Sequence, residues 1–138
     1  MTIKHQTINM KTVLLISFTV ISFVLLAQKI YPEIHISNRY AQMGTNGKWE
    51  TWMTHDVVDE KAFRISLTRQ LTGKYHADHT EMVTESTRRT ITIVDNRMMD
   101  MNFNSSRQFV RWINKHGYKT QYSERSGANM NFTFKRIL

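Results

Sequence analysis

The densest group of side chains that could do chemistry lies between residues 71 and 85. It contains one tyrosine, two histidines and three carboxylates, which are Tyr75, His76, Asp78, His79, Glu81 and Glu85. Two imidazoles with carboxylates nearby are ligands that zinc and other divalent cations accept. However, the next histidine downstream is the distant His116, and a solvated loop between two strands explains the same composition. We therefore predict no metal site here.

Other well-known catalytic and binding patterns are missing from the chain. It has no cysteine, which excludes disulfides, thiolate zinc sites and a cysteine nucleophile. It also has no nucleophile elbow, no dinucleotide-binding glycine motif and no P-loop. The formal charge of +8 suits an anionic partner, but a solvated surface explains a charge surplus that is dispersed along the chain.

Basic and aromatic residues near the second half of the chain offer a nucleic-acid alternative. The set comprises Arg88, Arg89, Tyr122, Phe132, Phe134, Lys135 and Arg136. Aromatic rings can stack on bases while cations contact phosphates. Aromatic residues at alternate positions of a strand are more typical of a core, so we predict no nucleic-acid partner.

The order of residues between 71 and 85 carries a family resemblance. Leu71-Thr72-Gly73-Lys74-Tyr75 is followed by Thr84-Glu85 and then by a predicted strand. This arrangement resembles the phage S-adenosylmethionine lyases, and the resemblance covers about residues 61–134.

The resemblance implies a lyase that cleaves S-adenosylmethionine to 5′-methylthioadenosine and homoserine lactone. It implies Tyr75 and Glu85 as catalytic residues and Thr72, Gly73 and Thr84 as substrate contacts. S-adenosylmethionine is then the substrate, and no cofactor is required. The resemblance also implies a homotrimer with its sites where subunits meet, and a role in phage antirestriction through depletion of the host's methyl donor.

Several strands that would hold these residues are predicted from local patterns. Residues 63–67 alternate apolar and polar side chains, which is typical of a half-buried strand. Residues 90–94 form a second strand, and residues 118–123 and 129–135 form a hairpin closed around Gly127.

One helix is predicted after residue 104. Ser105 and Gln108 have the spacing of a capping box, and Phe109 and Ile113 lie on one face. Gly117 supplies the left-handed residue that commonly ends a helix. We predict an α+β fold, with an antiparallel or mixed sheet, helices packed on one face, and a hydrophobic helix at the N-terminus.

Three regions are expected along the chain. Residues 1–29 form a hydrophobic segment, because residues 12–27 carry no charge. That run is short for a membrane span, which needs about 17–25 residues, and long for a signal-peptide core of about 7–15. An uncleaved anchor is our first interpretation, and a cleaved signal or a buried core segment are the alternatives. Residues 30–60 are predicted as an irregular or partly helical connection, and residues 61–138 as the lyase-like domain.

The expected location follows from the substrate. Because S-adenosylmethionine is a cytoplasmic metabolite, the lyase interpretation places the domain in the host cytoplasm, either free or attached to the inner membrane through residues 12–27. The alternative is a non-enzymatic envelope or phage-exclusion protein, anchored or exported, that binds a partner through its basic domain.

Overall fold

In a computed structural model that describes Lys11 and residues 29–137, eight strands and one helix follow residue 30. They are β1 (His35–Met43), β2 (Trp49–Val57), β3 (Ala62–Arg69), β4 (Tyr75–Thr84), β5 (Thr87–Ile93), β6 (Asn102–Phe103), α1 (Ser106–Lys115), β7 (Tyr118–Ser126) and β8 (Asn129–Arg136). The strands form one sheet in the order β2-β1-β5-β4-β3-β8-β7, and the short β6 pairs with the start of β4. All of these pairings are antiparallel.

The predicted α+β fold class is wrong. The described part of the chain is mostly antiparallel β-sheet, with a single ten-residue helix where several were expected. The sheet is much larger than predicted because three further long strands, β1, β2 and β4, lie in segments whose polar composition gave no clear alternation. The predicted N-terminal hydrophobic helix lies outside the described residues. No helix among the described residues is long and apolar enough to cross a membrane.

The predicted irregular connection over residues 30–60 is also corrected. This segment forms β1 and β2, a hairpin whose nine residue pairs run from His35 with Val57 to Met43 with Trp49. β1 then pairs along its other side with β5, so the two strands belong to the same sheet as the rest. A domain boundary near residue 61 is therefore not seen, and the compact unit begins at Tyr31.

The elements predicted from strong local signals are confirmed. The structure has strands over residues 62–69 and 87–93 and a hairpin of β7 and β8. Ser105 caps α1 by accepting a hydrogen bond from the Gln108 backbone, at 3.1 Å, and Gln108 Oε1 accepts one in return from the Asn104 backbone, at 2.6 Å. Gly117 follows α1 with a φ of +86°, as a helix-ending glycine should.

The core lies on the face of the sheet that we call the inner face, between the sheet and α1. Its members are apolar residues of β1, β3, β4, β5, β6, β8 and α1, including Ile36, Ile65, Leu67, Ala77, Ile93, Phe103, Phe109, Ile113, Phe132 and Phe134. The rings of Phe63, Phe103 and Phe132 pack around those of Phe109 and Phe134, with centroid separations of 4.9 to 5.8 Å in this group of five. This packing covers the β3-β8-β7 end of the sheet, whereas all nine residues of β2 at the opposite edge are exposed.

Candidate functional site

The Leu-Thr-Gly-Lys-Tyr motif forms the turn between β3 and β4. The Gln70 backbone N–H donates to the Lys74 carbonyl, at 2.8 Å, and Gly73 donates back to the Gln70 carbonyl, at 2.9 Å. Gly73 has a φ of +81°, a conformation that favours glycine, and Thr72 is exposed. The turn geometry alone therefore accounts for the glycine of the motif.

Tyr75 is the first residue of β4 and belongs to the inner face. It pairs with Arg69 of β3 on one side and with Phe103 of β6 on the other. It is partly buried and packs against the apolar core. Its ring is thus held by strand pairing and packing rather than by a mobile loop.

Thr84 and Glu85 lie at the other end of the same strand. Thr84 is the last residue of β4, Glu85 is in the tight turn that leads to β5, and both are exposed. The neighbouring Ser86 carbonyl accepts a hydrogen bond from the Met43 backbone, at 3.0 Å, which ties this turn to the β1-β2 hairpin.

The structure therefore divides the predicted site residues into two groups. Thr72, Gly73 and Tyr75 lie before or at the start of β4, and Thr84 and Glu85 lie at or just beyond its end. At about 3.3 Å per residue, the ten positions between Tyr75 and Glu85 span roughly 30 Å. No single chain brings the two predicted catalytic residues to one ligand.

The prediction that residues 71–85 form a loop is wrong, and the correction separates the two histidines. Because they lie three apart on a strand, His76 and His79 project from opposite faces of the sheet. His76 lies 3.9 Å from Asp78 on the outer face, and His79 lies 4.0 Å from Glu81 on the inner face. Among the described residues, no group of three or more histidine and carboxylate side chains could hold a metal ion.

An ionic cluster occupies the inner face next to the apolar core. Arg89 of β5 binds Glu81 of the neighbouring strand through both Nε, at 2.7 Å, and Nη2, and its Nη2 lies 3.6 Å from Glu60. Burial works to lower the pKa of Arg89, but the hydrogen bond and the charge of Glu81 outweigh it and raise the pKa above its ordinary value. Arg89 therefore stays charged, and its charge is balanced within the cluster.

The sheet opens beside this cluster. β3 and β4 pair only from Ser66 with Asp78 to Arg69 with Tyr75, and beyond that point each strand pairs only with its other neighbour. The opening forms clefts of about 540 Å³ and 510 Å³ that share Arg64, His79 and Thr80 as lining residues. Paired strands leave no such space, so the clefts follow from the loss of pairing between β3 and β4.

The aromatic residues considered for nucleic-acid stacking are divided by burial. Phe132 and Phe134 belong to the core and cannot receive bases, whereas Tyr122 is exposed. Of the basic residues, Arg89 is engaged by carboxylates and Arg136 by Tyr118 and Asp59. Two of the three rings considered are therefore buried, and two of the four cations are already paired.

Comparisons with protein families, with curated proteins and with solved structures find no match for this chain. Interpretation of the site therefore depends on its own geometry and on the motif resemblance.

A second group of polar residues was not predicted. Asn38, Asp56 and Glu60 lie near Arg89 at the uncovered end of the inner face, where they line a shallow cleft of about 420 Å³. The signal available in the sequence was the close spacing of Asp56, Asp59 and Glu60. This signal was missed because residues 30–60 were predicted to be a connection. The hairpin of β1 and β2 instead brings the side chains of Asn38 and Asp56 together.

Proposed function

We propose that the protein is an S-adenosylmethionine lyase whose active site is shared between copies of the chain. The observation that carries the proposal is the placement of the two motif groups at opposite ends of β4. The family that the motif resembles has its sites where subunits meet, and a site shared in this way can combine one group from one copy with the other group from the next. The same placement argues against an active site built within one chain.

A head-to-tail contact between copies would join the two groups. In such a contact the turn with Tyr75 from one copy meets the turn with Glu85 from the next, and a closed ring results if the rotation between copies closes. Apolar side chains are exposed near both ends of β4: Leu71 is fully exposed at one end, and Met82 and Val83 are 66% and 52% exposed at the other. Burial of these side chains would stabilise a contact between copies.

The reaction requires little chemistry from the protein. The substrate's carboxylate oxygen attacks the carbon next to the sulfonium and forms the new C–O bond. The C–S bond breaks, and sulfur keeps the electron pair and becomes the neutral thioether of methylthioadenosine. No proton moves and no outside nucleophile is needed. Orientation of the two ends of one molecule can contribute about 7–11 kcal/mol to such a step.

Each motif group has a role that fits this reaction. The phenol ring of Tyr75, fixed by the core, positions the sulfonium end through its hydroxyl or its π-face. Glu85 holds the ammonium or the ribose hydroxyls by charge-assisted hydrogen bonds, while Thr72, Gly73 and Thr84 contact the substrate. Since carboxylate and sulfonium charges cancel as the bond forms, a contact that excludes water favours the transition state.

The test is to incubate the purified full chain with S-adenosylmethionine and to measure methylthioadenosine and homoserine lactone by chromatography. We expect both products, and a particle larger than one chain by light scattering. Tyr75→Phe and Glu85→Gln should each lower turnover by about 100-fold, the size of effect that misplaced reacting groups produce. Glu124→Gln, an exposed carboxylate on β7, is the matched control and should keep full activity.

Two results would overturn the proposal. A folded protein that forms no methylthioadenosine is not a lyase, and its recovery only in a periplasmic extract would favour the envelope-binding alternative. Homoserine without its lactone, at reaction times too short for the lactone to hydrolyse, would show that water, rather than the substrate's carboxylate, is the nucleophile. If activity is confirmed, fractionation should find the protein in the cytoplasm or at the inner membrane.

A further inference from the structure

The two edges of the sheet differ in how they are protected against pairing with another strand. β7 has a shift of register between Thr120 and Tyr122 and exposed charges at Glu124 and Arg125. Bulges and charged side chains are the usual protection of a sheet edge. β2 has neither a shift in its nine pairs with β1 nor a lysine, arginine or proline. Within residues 29–137 nothing pairs with its free edge, which is therefore available to a further strand.

The backbone groups of β2 point alternately to β1 and away from it. The Gly44 N–H donates to the Lys48 carbonyl, at 2.8 Å, and the Val58 N–H donates to the Ile34 carbonyl, at 2.9 Å. Because the direction of hydrogen bonding alternates along an antiparallel strand, the even-numbered residues between these two bonds face β1. The odd-numbered residues direct both backbone groups to the free edge, and they are Trp49, Thr51, Met53, His55 and Val57.

Exposed apolar side chains lie along the same edge. Trp52 and Met53, at the middle of β2, are 43% and 53% exposed. Trp52 also stacks on Tyr40 of β1, with ring centroids 5.1 Å apart and planes 10° apart. The Tyr40 ring lies against one face of the indole, which leaves the other face for a ring from a neighbouring strand.

The side chains decide which register suits two copies of β2. In a two-fold contact residue i faces residue j while j faces i, so the axis passes through one residue that faces itself. An axis through Met53 sets Glu50 opposite Asp56 of the second copy, and like charges directly opposite each other destabilise a sheet. An axis through Thr54 sets Asp56 opposite Trp52, which gives the carboxylate no cation.

An axis through Trp52 gives a better match. It sets Lys48 opposite Asp56 of the second copy on both sides of the axis, so that opposite charges meet twice. It also sets the two copies of Trp52 opposite each other at a position without backbone hydrogen bonds, where the side chains of antiparallel strands come closest. With Tyr40 of each copy, the rings then form one continuous stack across the contact.

We propose that β2 binds β2 of a second copy in this register, so that one antiparallel sheet runs through both copies. Backbone hydrogen bonds join Thr51 to Met53 and Trp49 to His55 across the axis. The contact uses neither motif group and differs from the head-to-tail contact at the ends of β4. It therefore does not depend on lyase activity.

The experiment uses introduced cysteines, because the chain has none of its own. In the proposed register Glu50 lies opposite Thr54 of the second copy with Cα atoms about 4.5 Å apart, a separation that a disulfide spans. The Glu50→Cys/Thr54→Cys double variant of the full chain is oxidised at about 100 μM, and disulfide-linked dimer is measured by non-reducing electrophoresis. We expect most of the chain as dimer, since this concentration exceeds a Kd of about 10 μM, as for a small contact.

Each single cysteine variant is a matched control. Glu50→Cys or Thr54→Cys alone sets its two thiols about 13 Å apart across the axis, which is too far for a disulfide. Neither should give more dimer than Glu124→Cys on the exposed surface of β7. A mixture of the two single variants should again give the linked dimer, and it provides the test if the double variant fails to fold.

Further substitutions in the double-cysteine chain test the side chains of the contact. Lys48→Glu and Trp52→Ala should each slow dimer formation by about tenfold, because they remove the ion pairs or the central rings. Tyr122→Ala, which removes an exposed ring from β7, should leave the rate unchanged. The proposal is wrong if neither the folded double variant nor the mixture forms dimer, if the single variants form it as fast, or if Lys48→Glu and Trp52→Ala both leave the rate unchanged.

Discussion

The two ends of the inner face differ in what they bury. At the β3-β8-β7 end, α1 covers the sheet, and the rings of Phe109 and Phe134 pack edge to face at 5.6 Å. At the β1-β2 end no helix covers the sheet in the described part of the chain, and the same face carries Arg89 with its carboxylates. The comparison teaches that the buried aromatic core is concentrated at one end of the inner face, whereas the other end carries polar and aromatic groups on strands that no described helix covers.

The difference between the two ends of the inner face has a simple structural cause. α1 enters the fold between β6 and β7 and is ten residues long, or about 15 Å, which is too short to reach across seven strands spaced about 4.8 Å apart. The strands beyond its reach bury fewer large side chains: β1 and β5 bury Ile36, Ile91 and Ile93 on the inner face, but no aromatic ring. Polar residues occupy the neighbouring positions of that face, including Asn38, Glu81 and Arg89.

The largest expected loss of stability comes from removing an aromatic ring at the β3-β8-β7 end of the sheet, which α1 covers. Phe109→Ala should lower the free energy of unfolding by about 3–5 kcal/mol, because Phe109 is fully buried and contacts three other rings. Trp52→Ala, at the open end, should lower it by no more than about 1 kcal/mol, since Trp52 is 43% exposed. Urea denaturation of both variants provides the measurement. Equal losses would contradict the proposed division of the sheet.

Substitution of two glycines by alanine should cause a smaller loss of stability. Gly117 has a φ of +86°, and a Cβ added there would lie 2.7 Å from the Tyr31 ring. Gly127, at the tip of the β7-β8 hairpin, also has a positive φ but has open space around it. Gly117→Ala should therefore lower the free energy of unfolding by about 2–3 kcal/mol and Gly127→Ala by about 1 kcal/mol. The same denaturation curves test this, and a larger loss at Gly127 would show that Tyr31 does not pack closely on the sheet end.

The sequence predicts the parts of the fold that depend on neighbouring residues. The alternation of Phe63, Ile65 and Leu67 and the capping box of α1 are local signals, and both are confirmed. β1, β2 and β4 were missed because their sequences carry little alternation of apolar and polar residues, and every residue of β2 is exposed. β4 has polar residues on both faces, including His76 and His79, so it lacks the alternation that marks a half-buried strand.

Prediction of the candidate site from the sequence is limited in the same way. The resemblance identifies Tyr75 and Glu85 by their order in the chain, but only the strand between them shows that they lie at opposite ends of one element. The cleft around Asn38 was not predicted, because its members come from separate elements: β1, the end of β2, the connection to β3, and Arg89 of β5. Pairing of β1 with β2 sets Asn38 opposite Thr54 and Ile36 opposite Asp56, so Asp56 lies diagonally across from Asn38 and within hydrogen-bond distance of it.

The most direct test of a shared active site combines two inactive variants. Differently tagged Tyr75→Phe and Glu85→Gln chains are co-expressed, mixed particles are purified through both tags, and lyase turnover is measured. A mixed trimer holds two chains of one kind and one of the other, so about a third of its head-to-tail contacts join an intact Tyr75 from one copy to an intact Glu85 from the next. We predict turnover of about a third of the wild-type value. Turnover no higher than that of either variant alone, in particles that contain both chains, would contradict the account.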